Sequence, residues 1–378
     1  MSYPMFKVHI DKDAAIQILN SVLDSGFLNE GAQVQDFLEG LRKFHNFNNI
    51  VLTNSCTSAL TMALKLAGVD HGSEVITTSM TCVASNTPIM NLGAKPVWAD
   101  IDPQTGNIDP KSVASLITDK TRAVICVNWA GMPCDLSQLH EICKNNNIKL
   151  IQDAAHAFGA MYKGKDVSNF ADYTCYSYQA IKHITCGDGG SIFCLNDDDY
   201  EKAKKMKWFG LDRDATKDKN GEWKGQRWEA DIEDAGYKFN MNNIAAAIGL
   251  SQFNHVDRIL SSHRDNALRY RTHFSKTTSI KPLIYDNDSN PSFWVYTVLL
   301  EKGNRDLIIK NLNEKGIGAG LVHVPNHDYS CFKNIRVTDV HLPGVDKFHE
   351  CQVSLPCGWW LNKDDIDFIA NELITLVE

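Results

Sequence analysis

The sequence predicts an α/β protein in which a large, mostly parallel sheet lies between helices and a smaller α+β domain follows. Three observations carry this. Short apolar runs alternate with segments of helical spacing through the first half of the chain, the rhythm of β/α units covering a parallel sheet on both faces. One such run, Ile148 to Ile151, breaks at Asp153, as a buried strand does where its carboxyl end opens on a ligand crevice. Composition then changes between Pro282 and Pro291, where Asp, Asn and Ser cluster, a pattern of domain boundaries. At 378 residues the chain also exceeds the size at which a single core usually stops growing. The expected division is 1–255 for the large domain with its N-terminal helical segment, and 256–378 for a long linking helix and the small domain.

Residues 11–26 and 34–46 have helical spacing, punctuated by Ser25-Gly26 and Gly31. In VLTNSCTSALTMALKLAG (51–68), a short strand ends at Asn54-Ser55. A helix follows, capped by Thr57 or Ser58, with Leu60, Ala63, Leu64 and Ala67 on one face. Its N-terminus offers unpaired N–H groups and a positive dipole end, so Cys56, Thr57 and Ser58 are a candidate phosphate cradle; an ordinary capped helix is the competing reading. Strands are expected at Glu74–Thr78, Pro96–Ala99 and Ala123–Val127, and helices at Ser85–Leu92 and Leu136–Asn145. Between them Pro103 and Gly106 mark a turn, followed by a helix near Pro110–Ile117. Asn128-Trp129-Ala130-Gly131 follows a strand directly and either lines the cleft or packs behind it.

The stretch from Ile148 to Leu195 is the most informative. After Asp153, a second apolar run (Asp172 to Tyr178) leads to Lys182, and Gly187, Gly189 and Gly190 enter a third (Ser191 to Leu195). An acid at a strand end and a lysine in a following loop are what a pyridoxal phosphate enzyme needs. The lysine bonds the cofactor covalently, and the acid partners its pyridinium nitrogen. Taken singly, such residues are more often a helix cap and a solvated loop lysine, so the surrounding pattern decides.

Residues 211–235 are polar with little periodicity, and a loop of that length is usually functional or mobile. Trp208, Trp223 and Trp228 flank or occupy it, as stacking partners for a base or as packing residues. Arg213 and Arg227 there are candidates for bidentate pairing with a diphosphate, against ordinary surface salt bridges. GYKFNMNNIAAAIGL (236–250) opens a helix capped by Asn242 or Asn243, and helical spacing runs on to about His273. Beyond the boundary come a strand (Trp294–Leu300), a helix (Arg305–Lys315), a strand (Ala319–His323) and a last helix (Lys363–Val377).

Composition excludes several classes. With 43% hydrophobic and 22% charged residues, a net charge of −8 and no long basic block, the chain carries no nucleic-acid footprint. Its 11 cysteines are scattered with no CxxC pair, which signals neither a zinc site nor a redox pair and fits free thiols in a reducing cytoplasm. No apolar run approaches 18 residues and the N-terminus lacks a signal-peptide core, so a cytoplasmic protein without membrane attachment is expected. No GxGxxG opens a helix after an early strand, which removes a nicotinamide-binding oxidoreductase.

In order along the chain, NSCTSAL, QDAAHAFGA, SYQAIKHITCGDGG and GYKFNMNNIAAAIGL resemble the DegT/StrS family of sugar aminotransferases, and the likeness extends to the C-terminal LVHVP and SLP segments. The resemblance implies the aspartate-aminotransferase fold (type I, with a seven-stranded sheet) and pyridoxal 5'-phosphate as cofactor. Position by position, it places the Schiff-base lysine at Lys182, the pyridine-nitrogen acid at Asp153 and a neighbour of the cofactor's phenolic oxygen at His156. Phosphate binding falls on Ser177 and the Cys56-Thr57 pair. The segment after Gly236 is donated by the neighbouring subunit in such enzymes, which makes Lys238 a cross-subunit phosphate contact and implies a homodimer with shared active sites. His323 and His327 fall where relatives contact substrate, with structural roles equally open.

Three departures stand out. Cys82 occupies the place of an aromatic that often stacks on the cofactor ring, so stacking must come from elsewhere or be weaker. Lys238 and Asn240 replace the commoner Asn and Arg; lysine still neutralises phosphate as a point charge. Asp188 shortens the usual GEGG to GDGG, which is expected to be tolerated. The resemblance further implies L-glutamate as donor and a keto-deoxy sugar, most often nucleotide-linked, as acceptor in amino-sugar and surface polysaccharide (for example lipopolysaccharide) biosynthesis; a free keto sugar acid stays open as acceptor. No metal is implied. Two rivals keep the fold. One is a sugar 3-dehydratase in which a histidine replaces the lysine, relevant because His183 adjoins Lys182; the motif spacing favours Lys182. The other is a non-catalytic sensor, which would be expected to lack Asp153 or Lys182.

Overall fold

The computed structural model describes residues 2–212, 231–333 and 341–378. Helix α1 (Lys12–Ser25) starts on Asp11, whose carboxylate accepts the Ala14 N–H at 3.1 Å, and stops at Gly26 in the left-handed region (φ 66°). Helix α2 (Ala32–His45) follows, then an alternating series: β1 (Ile50–Thr53), α3 (Cys56–Leu66), β2 (Glu74–Thr78), α4 (Val83–Asn91), β3 (Lys95–Ala99), α5 (Pro110–Ser115), β4 (Thr121–Val127), α6 (Leu136–Asn145) and β5 (Lys149–Asp153). A small hairpin (β6, Met161–Tyr162; β7, Lys165–Asp166) precedes β8 (Tyr173–Ser177), β9 (Gly190–Cys194) and α7 (Asp197–Met206).

The expected seven-stranded sheet is present, in the order β1-β9-β8-β5-β4-β2-β3. The pairs β3/β2, β2/β4, β4/β5 and β5/β8 are parallel, while β9 runs antiparallel to both β8 and β1. Alternate residues feed two cores, with Ile76, Val124 and Leu150 in one and Val75, Ile125 and Ile151 in the other. This two-sided burial explains why the strands read as unbroken apolar runs rather than alternating ones.

Helices α8 (Asn243–Leu250) and α9 (Val256–Phe274) lead to a second, antiparallel sheet of β10 (Ile280–Pro282), β12 (Tyr296–Leu300) and β13 (Gln352–Leu355), while β11 (Ser289–Asn290) pairs with β6. Around it lie α10 (Arg305–Glu314), α11 (Ser330–Lys333), α12 (Pro343–Cys351) and α13 (Lys363–Val377). The Asp100 carboxylate, just past β3, accepts the Gly344 and Val345 N–H groups at 2.9 Å each and so caps α12.

Four readings change. The cap of α3 is Ser55, not Thr57 or Ser58: it is extended (φ −165°, ψ 159°) and its hydroxyl accepts the Ser58 N–H at 3.1 Å. The helical pattern to His273 is two helices. Between them Gln252 is fully buried, its side-chain oxygen accepts the Thr185 N–H at 3.0 Å, and the chain passes through a 3-10 turn at Phe253–His255. Ala319–His323 is no strand. Gly320 forms one bridge with Ser354, and the chain then leaves the sheet edge toward the site. The strand expected from Trp294 begins two residues later, at Tyr296. Most of the polar loop, with Arg213, Arg227, Trp223 and Trp228, lies outside the described residues.

Candidate active site

At the carboxyl end of β5, Asp153 pairs across the sheet with Val127 of β4 and Cys175 of β8, and is buried. Two donors fix its carboxylate. The Ser85 hydroxyl donates to Oδ2 at 2.7 Å, and the Ala155 N–H donates to Oδ1 at 3.0 Å. Burial raises its pKa, opposed by these two hydrogen bonds and by the Lys182 charge. A partner cation at this position would tip the balance to the ionised form.

Lys182 comes from the loop between β8 and β9, which is pinned on both sides. The Lys182 N–H donates to Gln179 O (3.0 Å), Cys186 N–H to Tyr178 O (2.8 Å) and Tyr178 N–H to Gly189 O (2.8 Å). Lys182 is only half-buried as a residue, yet its ammonium lies deep enough that desolvation lowers its pKa from 10.5 to about 8, against the opposing pull of Asp153, Cys56 and Cys82. A neutral, nucleophilic amine is therefore available near neutral pH. His183 turns the other way: it is buried, its Nε2–H donates to Ser292 O at 3.0 Å, and its ring lies 4.8 Å from that of His263.

The third component is the start of α3. Ser177, Gly190 and Thr53 lie in one row across β8, β9 and β1. A Cβ on Gly190 would come within 2.4 Å of the Cys56 backbone nitrogen, so only glycine lets β9 pass this close beneath the helix end. The first-turn N–H groups of Cys56 and Thr57 precede the helical ladder and, with Ser177, form a cradle suited to a phosphate. Amine, acid and anion cradle thus fit pyridoxal phosphate on the chemistry of their donors. Cys82 stands at the N-cap of α4, partly exposed and within electrostatic reach of Lys182. Asp188 is exposed, which fits the tolerance expected of the shortened acid.

His156 and His323 are parallel (12°) with ring centres 5.3 Å apart, and their Nε2 atoms are 3.5 Å apart. Burial first, then Lys182, pushes His156 well below its usual range and His323 down to about 3. Two neutral imidazoles can share one hydrogen bond and present a donor and an acceptor to a ligand. His327 lies apart from them, its Nδ1 2.9 Å from the Ser79 hydroxyl. Asn326 pins this loop by donating to Thr81 O at 2.7 Å. Trp129 is buried and turns its ring edge on His323 at 5.7 Å, so its stretch mainly packs behind the site. Lys238 donates to the Asn240 side chain and lies 4.2 Å over the Trp208 ring, and Asn240 in turn bridges to Thr53 at the end of β1. Sequence reasoning missed Ser85, three residues after Cys82, and Trp294, whose contacts with His156 and Lys182 arise only in the folded chain. Among the described residues no group of three or more His, Cys, Asp or Glu could hold a metal, and no helix is long and apolar enough to cross a membrane.

A family model described as the DegT/DnrJ/EryC1/StrS aminotransferase family matches residues 9–374. The chain is 30% identical over 370 residues (96% of this chain, 94% of the other) to the spore coat polysaccharide biosynthesis protein SpsC of Bacillus subtilis. It is 29% identical to a UDP-4-amino-4,6-dideoxy-N-acetyl-beta-L-altrosamine transaminase of Helicobacter pylori, over 97% of this chain and 95% of that one. A solved structure from Streptococcus pneumoniae, described as a sugar aminotransferase in its PLP form, superposes with a TM-score of 0.90 at 27% identity, covering 100% of this chain and 99% of that one.

Proposed function

The chain belongs to the DegT/DnrJ/EryC1/StrS aminotransferase family of pyridoxal-phosphate-dependent transaminases, and from that premise we propose that it moves an amino group from L-glutamate to a nucleotide-linked keto-deoxy sugar. The observation that carries the reading is the meeting of a pKa-lowered lysine with a buried, doubly hydrogen-bonded carboxylate beside an anion-binding helix end. Nucleotide linkage and a role in surface polysaccharide synthesis are supported by what the Helicobacter and Bacillus relatives are named for. The same reading takes the protein as a cytoplasmic homodimer with shared active sites, Lys238 serving the neighbouring subunit's phosphate, and keeps the domain division at residue 255.

Pyridoxal phosphate supplies an aldehyde that bonds amines and a ring that accepts the electron pair left when the donor loses its α-proton. Lys182 would hold the cofactor through its amine, and that amine, once free, is placed to take up and return the proton. Asp153, fixed in place by Ser85 and the Ala155 N–H, would supply the negative charge that the cofactor's ring nitrogen needs. The Cys56 and Thr57 amides and Ser177 would hold the phosphate. Neutral His156 would orient the cofactor's phenolic side, and His323 beside it would offer a hydrogen-bonding group to the acceptor. Keto acid release before acceptor binding makes the kinetics ping-pong. The dehydratase rival is disfavoured because Lys182, and not His183, shares the cleft with Asp153.

Adding L-glutamate to cofactor-loaded protein is expected to bleach the visible absorbance and release 2-oxoglutarate, after which keto-sugar nucleotides should restore the band. A visible band unmoved by glutamate and every other amino acid would overturn transamination. A pH dependence follows from the lysine. Only its neutral form captures the aldehyde, so capture by cofactor-free protein should rise about tenfold per pH unit and level off above pH about 8. Stopped-flow absorbance measures this, and a plateau only above pH ~10, as for an ordinary lysine, would contradict the enclosed amine.

A further inference from the structure

Trp294 makes two contacts with the loop that carries Lys182 and stacks against two further rings. Its indole face lies 3.7 Å from Lys182 Nζ. Its Nε1–H donates to the Ile181 carbonyl, the peptide that leads into Lys182, at 2.7 Å. The His156 ring stacks on it at 4.0 Å and 18°, and Phe6, from the N-terminal segment, stacks at 4.7 Å and 24°. The residue is buried, and the backbone that carries it is held against strain. Phe293 sits in the left-handed region (φ 47°), costly for a bulky side chain. Three bonds impose that turn: Ser292 N–H to Gly131 O (3.1 Å), Trp294 N–H to Ala130 O (2.8 Å) and His263 Nδ1–H to Phe293 O (2.8 Å).

An ammonium in a water-poor cleft needs either a counter-ion in contact or an electron-rich face. Asp153 pulls on the amine electrostatically, and the surface that meets the amine directly is the indole face, 3.7 Å away. Resting on the assignment of Lys182 made above, we propose that Trp294 is a positioning residue: its indole face is the seat of the Lys182 amine whenever that amine is not bonded to the cofactor, and its N–H anchors the peptide from which the side chain swings. The seat keeps the free lysine inside the cleft, above the peptide that Trp294 anchors. It also accounts for the stacking of Phe6 and His156 on Trp294, which holds the indole in place.

The test uses cofactor-free protein, which makes it independent of the reaction catalysed. Reductive methylation of Lys182, followed by peptide mass spectrometry across pH, gives the midpoint at which the amine loses its proton. The titratable groups around the amine are Asp153 at the end of β5, Cys56 of α3, Cys82 ahead of α4, His156 and His323, with His183 adjoining on the same loop but turned out of the cleft toward Ser292, all present in every variant compared. Trp294→Phe keeps a ring face and should hold the wild-type midpoint. Trp294→Leu should lower it by about half a unit, roughly threefold more neutral amine at a given pH. Phe6→Ala, which loosens the column but leaves the indole, should not move it. An unchanged or raised midpoint in Trp294→Leu, or equal shifts in all three variants, would overturn the seat in favour of simple enclosure. Should Trp294→Leu not fold, the wild-type protein still decides. Its near-ultraviolet indole spectrum should change across the Lys182 midpoint, and Lys182→Ala should abolish that change; a flat spectrum overturns the proposal. Borohydride trapping of the loaded protein checks separately that Lys182 is the cofactor lysine, so failure of that assignment and failure of the seat are distinguishable.

Discussion

Lys182→Ala is expected to lower the transamination rate by roughly 10⁴-fold or more, with the fold intact. General base catalysis by a positioned side chain contributes about 10²–10⁴-fold, and in the proposed reaction this lysine would also supply the covalent anchor, so the two losses compound. The amine is tuned for both duties by burial, which lowers its pKa to about 8 and leaves a usable neutral fraction at neutral pH. Borohydride reduction of loaded wild-type protein should place the cofactor label on the peptide containing residue 182, and the alanine variant should lose it. His183→Ala is the informative control. Its ring bonds Ser292 O and lies against His263, so the expected effect is on stability, with the label at 182 retained. Near-full activity in Lys182→Ala, or a label moved to another lysine, would remove the basis of the proposed chemistry.

What the sequence reveals of this site divides by the range of the interaction. Asp153 and Lys182 are legible because each is tied to a local signal: an apolar run that ends, and a glycine cluster that follows. The strands Glu74–Thr78 and Lys149–Asp153 are legible because a parallel sheet buries both faces and leaves continuous apolar runs. Ser55 as the cap of α3 is a near miss, since four of the five residues from Asn54 to Ser58 are capable of capping and only backbone dihedrals choose among them. The break after α8 depends on Gln252 reaching Thr185, 67 residues away in sequence, so no local pattern announces it. Ser85 and Trp294 belong to the same class: their partners, Asp153 and Lys182, are brought to them by the sheet and by the turn at Phe293. Local periodicity finds the elements and the chemically distinctive residues, and tertiary contacts decide which neutral-looking side chains hold them in register.

Asp153→Asn carries the second large expected effect, about 10²- to 10³-fold in kcat, the scale of losing one preorganised electrostatic contact in a dry site. The substitution is nearly isosteric. The asparagine oxygen can still accept one of the two existing bonds, from Ser85 or from the Ala155 N–H, so the loop after β5 should stay in place. What disappears is the negative charge that, in the proposed reaction, would stabilise the proton on the cofactor's ring nitrogen. Cofactor capture by Lys182 should survive, so the borohydride label remains at 182 while turnover falls; that split separates an electrostatic role from a merely structural one. A second readout has a definite sign. Asp153 favours the protonated form of Lys182, so neutralising it should move the capture midpoint below about 8. A variant that keeps wild-type kcat, or whose midpoint rises, would mean that the carboxylate is not acting as a charge toward either the amine or the ring. Because Asp153 is buried, with its own pKa raised by desolvation, its ionisation depends on positive charge beside it. Acid at the strand end and cation across the cleft are therefore one thermodynamic unit, and loss of either should weaken the charge state of the other.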